Sequence, residues 1–229
     1  MFAMMLNWSR LFCLASSNCC THLQYYVVSY ISLKVYSETE HLNSQSTREK
    51  TFFVLKRRSL CENSMLIGIM SDSHDNLPLI EKAVSLLNQQ KVGLVLHAGD
   101  FVAPFVAQKL KKLNCELIGV FGNNDGDHEL LKTRFGETTN CTLHDRFTVV
   151  TVDRYKVALL HGHETELLGA LVDSGYFDAV VHGHSHNCNI EQLGKTLVVN
   201  PGELCGYLTG KTTVAILDTI KHEARIVEL

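Results

Sequence analysis

The 229-residue chain is 45% hydrophobic and 20% charged, which supplies a core for one domain or two and argues against a disordered or fibrous protein. A net charge of -3 and a pI near 6.4 argue against a surface that holds nucleic acid by phosphate neutralisation. No run approaches about 18 consecutive apolar residues, so no membrane span is expected, and eight cysteines without a CxxC pair fit free thiols in a reducing, cytoplasmic setting.

Residues 1–64 form an extension with no helix or strand periodicity; it carries +3 (seven Lys/Arg minus four Asp/Glu), against -6 (fourteen minus twenty) for residues 65–229. A targeting peptide has some support, because no acid precedes Glu38, but a single Arg in the first 33 residues is thin for one. The simpler reading is that Met65 opens the working domain and residues 1–64 are a dispensable or mis-assigned extension.

From Met65 the elements alternate. MLIGIM (65–70) is a short apolar run, as expected of a strand covered on both faces. LPLIEKAVSLLNQQ (77–90) spaces Leu77, Ile80, Ala83, Val84 and Leu87 as one helical face, with Asp75 or Asn76 before it and Pro78 in its first turn. VGLVLHAGD (92–100) predicts a second strand, FVAPFVAQKLKKL (101–113) a second helix and CELIGVFG (115–122) a third strand, so parallel βαβ crossovers are implied. FTVVTVD and KVALLHGH flank Arg154-Tyr155 as an antiparallel pair, followed by a helix near 164–174 and the strand DAVVHGH. IEQLGKTLVVN with a turn at Gly194, then TTVAILD and EARIVEL, complete the chain. The predicted fold class is α/β, a β-sandwich core of mixed sheets flanked by helices.

Metal-competent side chains gather where these strands end: Asp72 and His74, Asp100, Asn123, His161, and His184 with His186. Residues at i and i+2 of an extended chain point the same way, which predicts convergence within 72–74 and within 184–186. A mixed imidazole and oxygen set suits Mn, Fe or Zn better than Ca or Mg. Seven ligands exceed one tetrahedral ion and fit two ions about 3.5 to 4 Å apart sharing a carboxylate. His182 could compete as a ligand, with strand packing the preferred reading; His97 reads as a hydrogen-bonded core histidine, and Cys188 as a packed residue entering a strand.

In order, SDSH, AGD, GNND, HGH and HGHSH resemble the blocks of the calcineurin-like metallophosphoesterases, and the short domain closing on Asn200-Pro201-Gly202 is most similar to the small YfcE-type phosphodiesterase branch. The resemblance implies an α/β/β/α arrangement over 65–229, with Asp72, His74 and His186 on one metal, Asn123, His161 and His184 on the other, and Asp100 bridging both. Two divalent cations are implied, Mn first, with Fe, Ni or Zn also compatible. The implied reaction is hydrolysis of a small phosphate ester, most simply a phosphodiester, by a metal-bridging hydroxide, with His163 or the Asn124 amide stabilising developing charge.

Two positions depart from the family pattern. At Asn124 many relatives carry His, and an amide is no practical general acid, so esters with good leaving groups are expected to be favoured. At Glu203 the small branch often has Ser, which bears on pocket polarity. Asp125 is expected to orient a ligand, and Gly122 to permit a tight turn. A second function class stays open, a protein-binding scaffold similar to the retromer small subunit, as does a homo-oligomer.

Overall fold

The computed structural model describes residues 53–55, 65–137 and 140–229. Two six-stranded mixed sheets lie face to face. In chain order the elements are β1 (Phe53–Leu55), β2 (Leu66–Met70), α1 (Leu77–Gln89), β3 (Leu94–His97), α2 (Ala107–Leu110), β4 (Glu116–Val120), α3 (His128–Gly136), β5 (Cys141–His144), β6 (Phe147–Val152), β7 (Tyr155–Leu160), α4 (Thr165–Asp173), β8 (Ala179–Val181), β9 (Asn189–Leu193), β10 (Thr196–Asn200), β11 (Thr213–Asp218) and β12 (Glu223–Glu228). One sheet runs β12-β11-β2-β3-β4-β5, with β2 to β5 parallel and β11 and β12 antiparallel additions. The other runs β1-β6-β7-β8-β10-β9 and mixes both senses.

The period-2 alternation of the strands sorts side chains into layers. Ile67, Ile69, Leu94, Leu96, Ile118 and Val120 face the second sheet, where they meet Val150, Val157, Leu159, Val181, Leu197 and Val199. Met70, Val95, Leu117 and Ile216 face the other way, onto Ile80, Val84 and Leu87 of α1, Leu110 of α2 and Phe135 of α3. On the far side, Ala158, Leu160 and Val180 are covered by Leu167, Leu168, Leu171 and Val172 of α4. The result is helices, sheet, sheet, helix, as the sequence predicts. Among the described residues no helix is long and apolar enough to cross a membrane.

Local differences from the sequence reading have physical causes. The helix expected over 101–113 shrinks to a 3-10 turn at Pro104–Val106 and the four residues of α2. Ala103 is extended (φ -127°, ψ 158°), as a residue before proline prefers, and Val102 sits at φ 81°, so no helix can begin before Pro104. The sequence reading also leaves α3 and β5 out. Of the 1–64 extension, Phe53–Leu55 pair with Val150–Val152 as a parallel edge strand, and the rest lies outside the described residues.

Candidate metal centre

The site is built from the loops that leave β2, β3, β4, β7, β8 and β10 along one rim of the sandwich. Their backbones turn abruptly. Asp72, His74, Asp100, His184 and His186 have φ of 52°, 39°, 59°, 67° and 60°, in the left-handed region that side chains with a Cβ disfavour. Five of the seven expected ligands therefore hold a strained backbone, which the surrounding structure must over-determine. This corrects the expectation of extended i, i+2 pairs: convergence comes from turns at 72–74 and 184–186.

The turns bring carboxylates and imidazoles together. His74 Nε2 lies 3.4 Å from Asp100 Oδ2 and 3.9 Å from Asp72 Oδ1; His161 Nε2 is 3.4 Å from Asp100 Oδ2, and His186 Nε2 is 3.4 Å from Asp72 Oδ1. Around an ion bound at about 2.1 Å, neighbouring ligand atoms stand about 3 to 3.5 Å apart, so the three 3.4 Å separations suit shared coordination. Among the described residues, Asp72 Oδ1, His74 Nε2 and His161 Nε2 are buried without a hydrogen-bond partner. Buried polar atoms are normally satisfied, and three orphans gathered around Asp100 fit bound cations. Asp72, Asp100 and His161 form one group able to hold an ion, and His74, His186 and Cys205 another.

The remaining expected residues differ in how closely they join. His184 donates its backbone N–H to Asp72 Oδ2 at 3.1 Å, and its ring centroid lies 5.1 Å from that of His161. His163 stands 5.5 Å from His161 and 6.0 Å from His184 by ring centroids, with its Nδ1 buried and unpartnered. Asn123 is exposed on the loop after β4, and its side chain makes no hydrogen bond among the described residues. Asn124 is committed elsewhere: its backbone N–H and its Nδ2 donate to the two oxygens of Asp100, at 2.9 and 2.7 Å. Burial pushes the Asp100 carboxyl up, but His161 and Asn124 outweigh it and hold it well below the usual carboxylate range.

The supporting frame is made of backbone contacts. Asp125 is the acceptor for the N–H groups of Asp100 (3.1 Å), Gly122 (2.6 Å) and Val102 (2.8 Å), so it fastens two loops together rather than orienting a ligand side chain. Gly122 serves close approach, not a tight turn: a Cβ there would collide with the Asp100 carboxylate. His161 Nδ1 bonds the carbonyl of Ala98 at 2.7 Å, which turns Nε2 toward the site. His97 is fully buried, accepting from Gly99 N at 3.1 Å and lying 3.2 Å from Ser73 Oγ, the hydrogen-bonded core histidine expected. Half-buried His182 rests beside the carbonyl of Gly183 at 3.2 Å, and Cys188 is exposed rather than packed.

Two contributions are not foreseen in the sequence, the bond of Glu203 to His186 and the presence of Cys205 beside it. Glu203 is completely buried and accepts from His186 Nδ1 at 2.7 Å. Burial pushes its carboxyl up, yet the bonds from His186, Thr209 and Leu208 bring it down to about 2. Cys205 donates its thiol to Glu203 at 3.2 Å, and burial raises that thiol to about 12. Neither position differs in sequence from an ordinary acid or thiol; only the turn after Asn200-Pro201-Gly202 puts them beside His186.

A family model for the calcineurin-like phosphoesterase superfamily domain matches residues 65–222, and the chain belongs to that family of metal-dependent phosphoesterases. Over 165 residues it is 44% identical to phosphodiesterase MJ0936 of Methanocaldococcus jannaschii, spanning 72% of this chain and 99% of that protein. It is 28% identical over 155 residues to phosphodiesterase YfcE of Escherichia coli (61% of this chain, 79% of that one), which agrees with the small branch. A solved archaeal phosphodiesterase superposes with a TM-score of 0.69 at 43% identity, over 72% of this chain and all of that one. Vps29 of Entamoeba histolytica shares the fold alone, with a TM-score of 0.54 at 18% identity over 72% of this chain and 99% of that one. A fold hosts many functions, and activity depends on the chemistry of the site it carries.

Proposed function

We propose that the chain is a dinuclear metal-dependent phosphodiesterase acting on a small phosphate ester, with residues 65–229 as its catalytic domain. The observation that carries this reading is the set of three buried, unpartnered ligand atoms on Asp72, His74 and His161 around Asp100. Asp72, His74 and His186 would hold one ion, Asn123, His161 and His184 the other, and Asp100 both. Bound divalent ions supply Lewis acidity toward water and the phosphate oxygens; Mn is our first choice, with Fe, Ni or Zn also compatible with the donors.

The chain's own residues then have distinct tasks. Asp100 and Asp72 balance the cationic charge, and the Ala98 carbonyl and Glu203 aim the two imidazoles His161 and His186. Asn124, whose backbone N–H and Nδ2 each donate to Asp100, positions that carboxylate and, being an amide, offers no proton to a leaving group. His163, with an unsatisfied ring nitrogen near His161 and His184, is the group placed to stabilise charge on the phosphate or to give a proton to the departing oxygen.

The test is hydrolysis of bis(p-nitrophenyl) phosphate by Mn-supplemented protein, alongside aryl esters of graded leaving-group pKa. Loss of about 100-fold or more is expected in Asp100→Asn and His161→Ala. A steeper leaving-group dependence is expected in the wild type than in Asn124→His. A folded wild type inactive with all four metals would overturn the reading.

A further inference from the structure

Glu203 sits at the centre of an unusually dense set of donors for a fully buried side chain. Its carboxylate receives His186 Nδ1 (2.7 Å), Cys205 Sγ (3.2 Å), Leu208 N (3.0 and 3.1 Å), Thr209 N (2.5 Å) and Thr209 Oγ1 (2.7 Å). The strand side of the turn is anchored as well: Leu204 N and Cys205 N donate to the carbonyls of Ser71 and Asp72 at 3.0 Å each, and the Asn76 side chain donates to the carbonyl of Cys205 at 3.0 Å. A carboxylate so surrounded has no rotational freedom left, and it accepts only.

We infer that Glu203 is a positioning residue that fixes the His186 imidazole in its Nδ1–H tautomer, so that Nε2 presents a lone pair to the site. The opposite ring nitrogen faces the site: His186 Nε2 lies 3.4 Å from Asp72 Oδ1, and the ring stacks on His74 with centroids 5.3 Å apart. Imidazoles that bind metals are commonly held by a carboxylate on the far nitrogen, which sets both tautomer and basicity. Here that carboxylate is bonded to the 208–209 backbone, so a rigid turn, not a mobile side chain, determines where Nε2 points. The effect on metal affinity rests on the reading of His186 as a ligand; the tautomer does not.

Two readouts on the full-length protein separate these. Nitrogen-resolved NMR of histidine-labelled, chelator-treated wild type at pH 8 should show His186 with its proton on Nδ1. Competition of Mn(II) between the protein and a fluorescent chelator should show dissociation constants raised about 10- to 100-fold in Glu203→Ala, and less in the isosteric Glu203→Gln. His186 found with its proton on Nε2, or both variants binding Mn(II) as tightly as a binding-competent wild type, would overturn the inference. Should the wild type bind no Mn(II), the metal reading fails while the tautomer still decides the role of Glu203. The same measurement decides it if the variants do not fold.

Discussion

At the scale of single residues, the site depends on groups that never face a substrate. Asp125 satisfies three backbone N–H groups, one of them that of Asp100 itself. Asp125→Ala would strand them in a buried loop junction, at a cost of about 2 to 4 kcal/mol; chemical denaturation should show that loss, together with weakened metal binding. Gly122→Ala drives a methyl group against the Asp100 carboxylate, so activity should fall by about 100-fold or more while the fold, read by circular dichroism, persists.

His97 gives a pH signature. Burial, reinforced by His161, lowers its pKa from the ordinary 6.5 to about 3. The unfolded chain therefore binds a proton that the folded protein refuses. This contribution to stability is complete above pH 6.5 and erodes as pH falls toward 3, by up to about 1.4 kcal/mol per pH unit. In chelator-treated protein, the difference in stability between wild type and His97→Gln should shrink over that window; a constant difference would count against a buried neutral imidazole.

At the scale of elements, α1 illustrates what sequence makes legible. Ile80, Ala83, Val84 and Leu87 recur at helical spacing, and all four are buried against the first sheet. Leu87 also fills the space over Gly68, where its Cδ2 lies 2.8 Å from the position of a glycine Cβ. Leu87→Ala should thus open a cavity and cost about 2 to 5 kcal/mol by denaturant titration. By contrast α3 buries only Leu131 and Phe135 among nine residues, too sparse a face to announce a helix. Its start depends on Asp127, whose carboxylate caps Leu130 N at 2.9 Å. The candidate ligands were legible because they fall at strand ends in an order that resembles a known family. The bond of Glu203 to His186, the placement of Cys205 and the bracing role of Asp125 were not, since a lone acid or thiol carries no mark of the turn that brings it home. The left-handed turns at 72–74 and 184–186 were likewise hidden, because Asp and His do not advertise positive φ as glycine does.

At the scale of the molecule, two stacked sheets hold six loops at one rim, so ligands far apart in sequence are brought together by a shared core, with direct contacts such as His184 N–H to Asp72 Oδ2 added to it. The family match over residues 65–222 lies within the proposed catalytic domain. A protein beginning at Met65 would lose β1, an edge strand that among the described residues pairs with β6 alone; it should fold, and cleave bis(p-nitrophenyl) phosphate at the rate of the full chain.

The proposed activity depends on Asp100 joining two metal ions. Electron paramagnetic resonance of the full-length protein loaded with Mn(II), with metal content measured on the same sample, tests it most directly. About two Mn per chain are expected, with an exchange-coupled signal that Asp100→Asn converts to that of isolated ions. One uncoupled Mn per chain, or a coupled signal unchanged by Asp100→Asn, would contradict it.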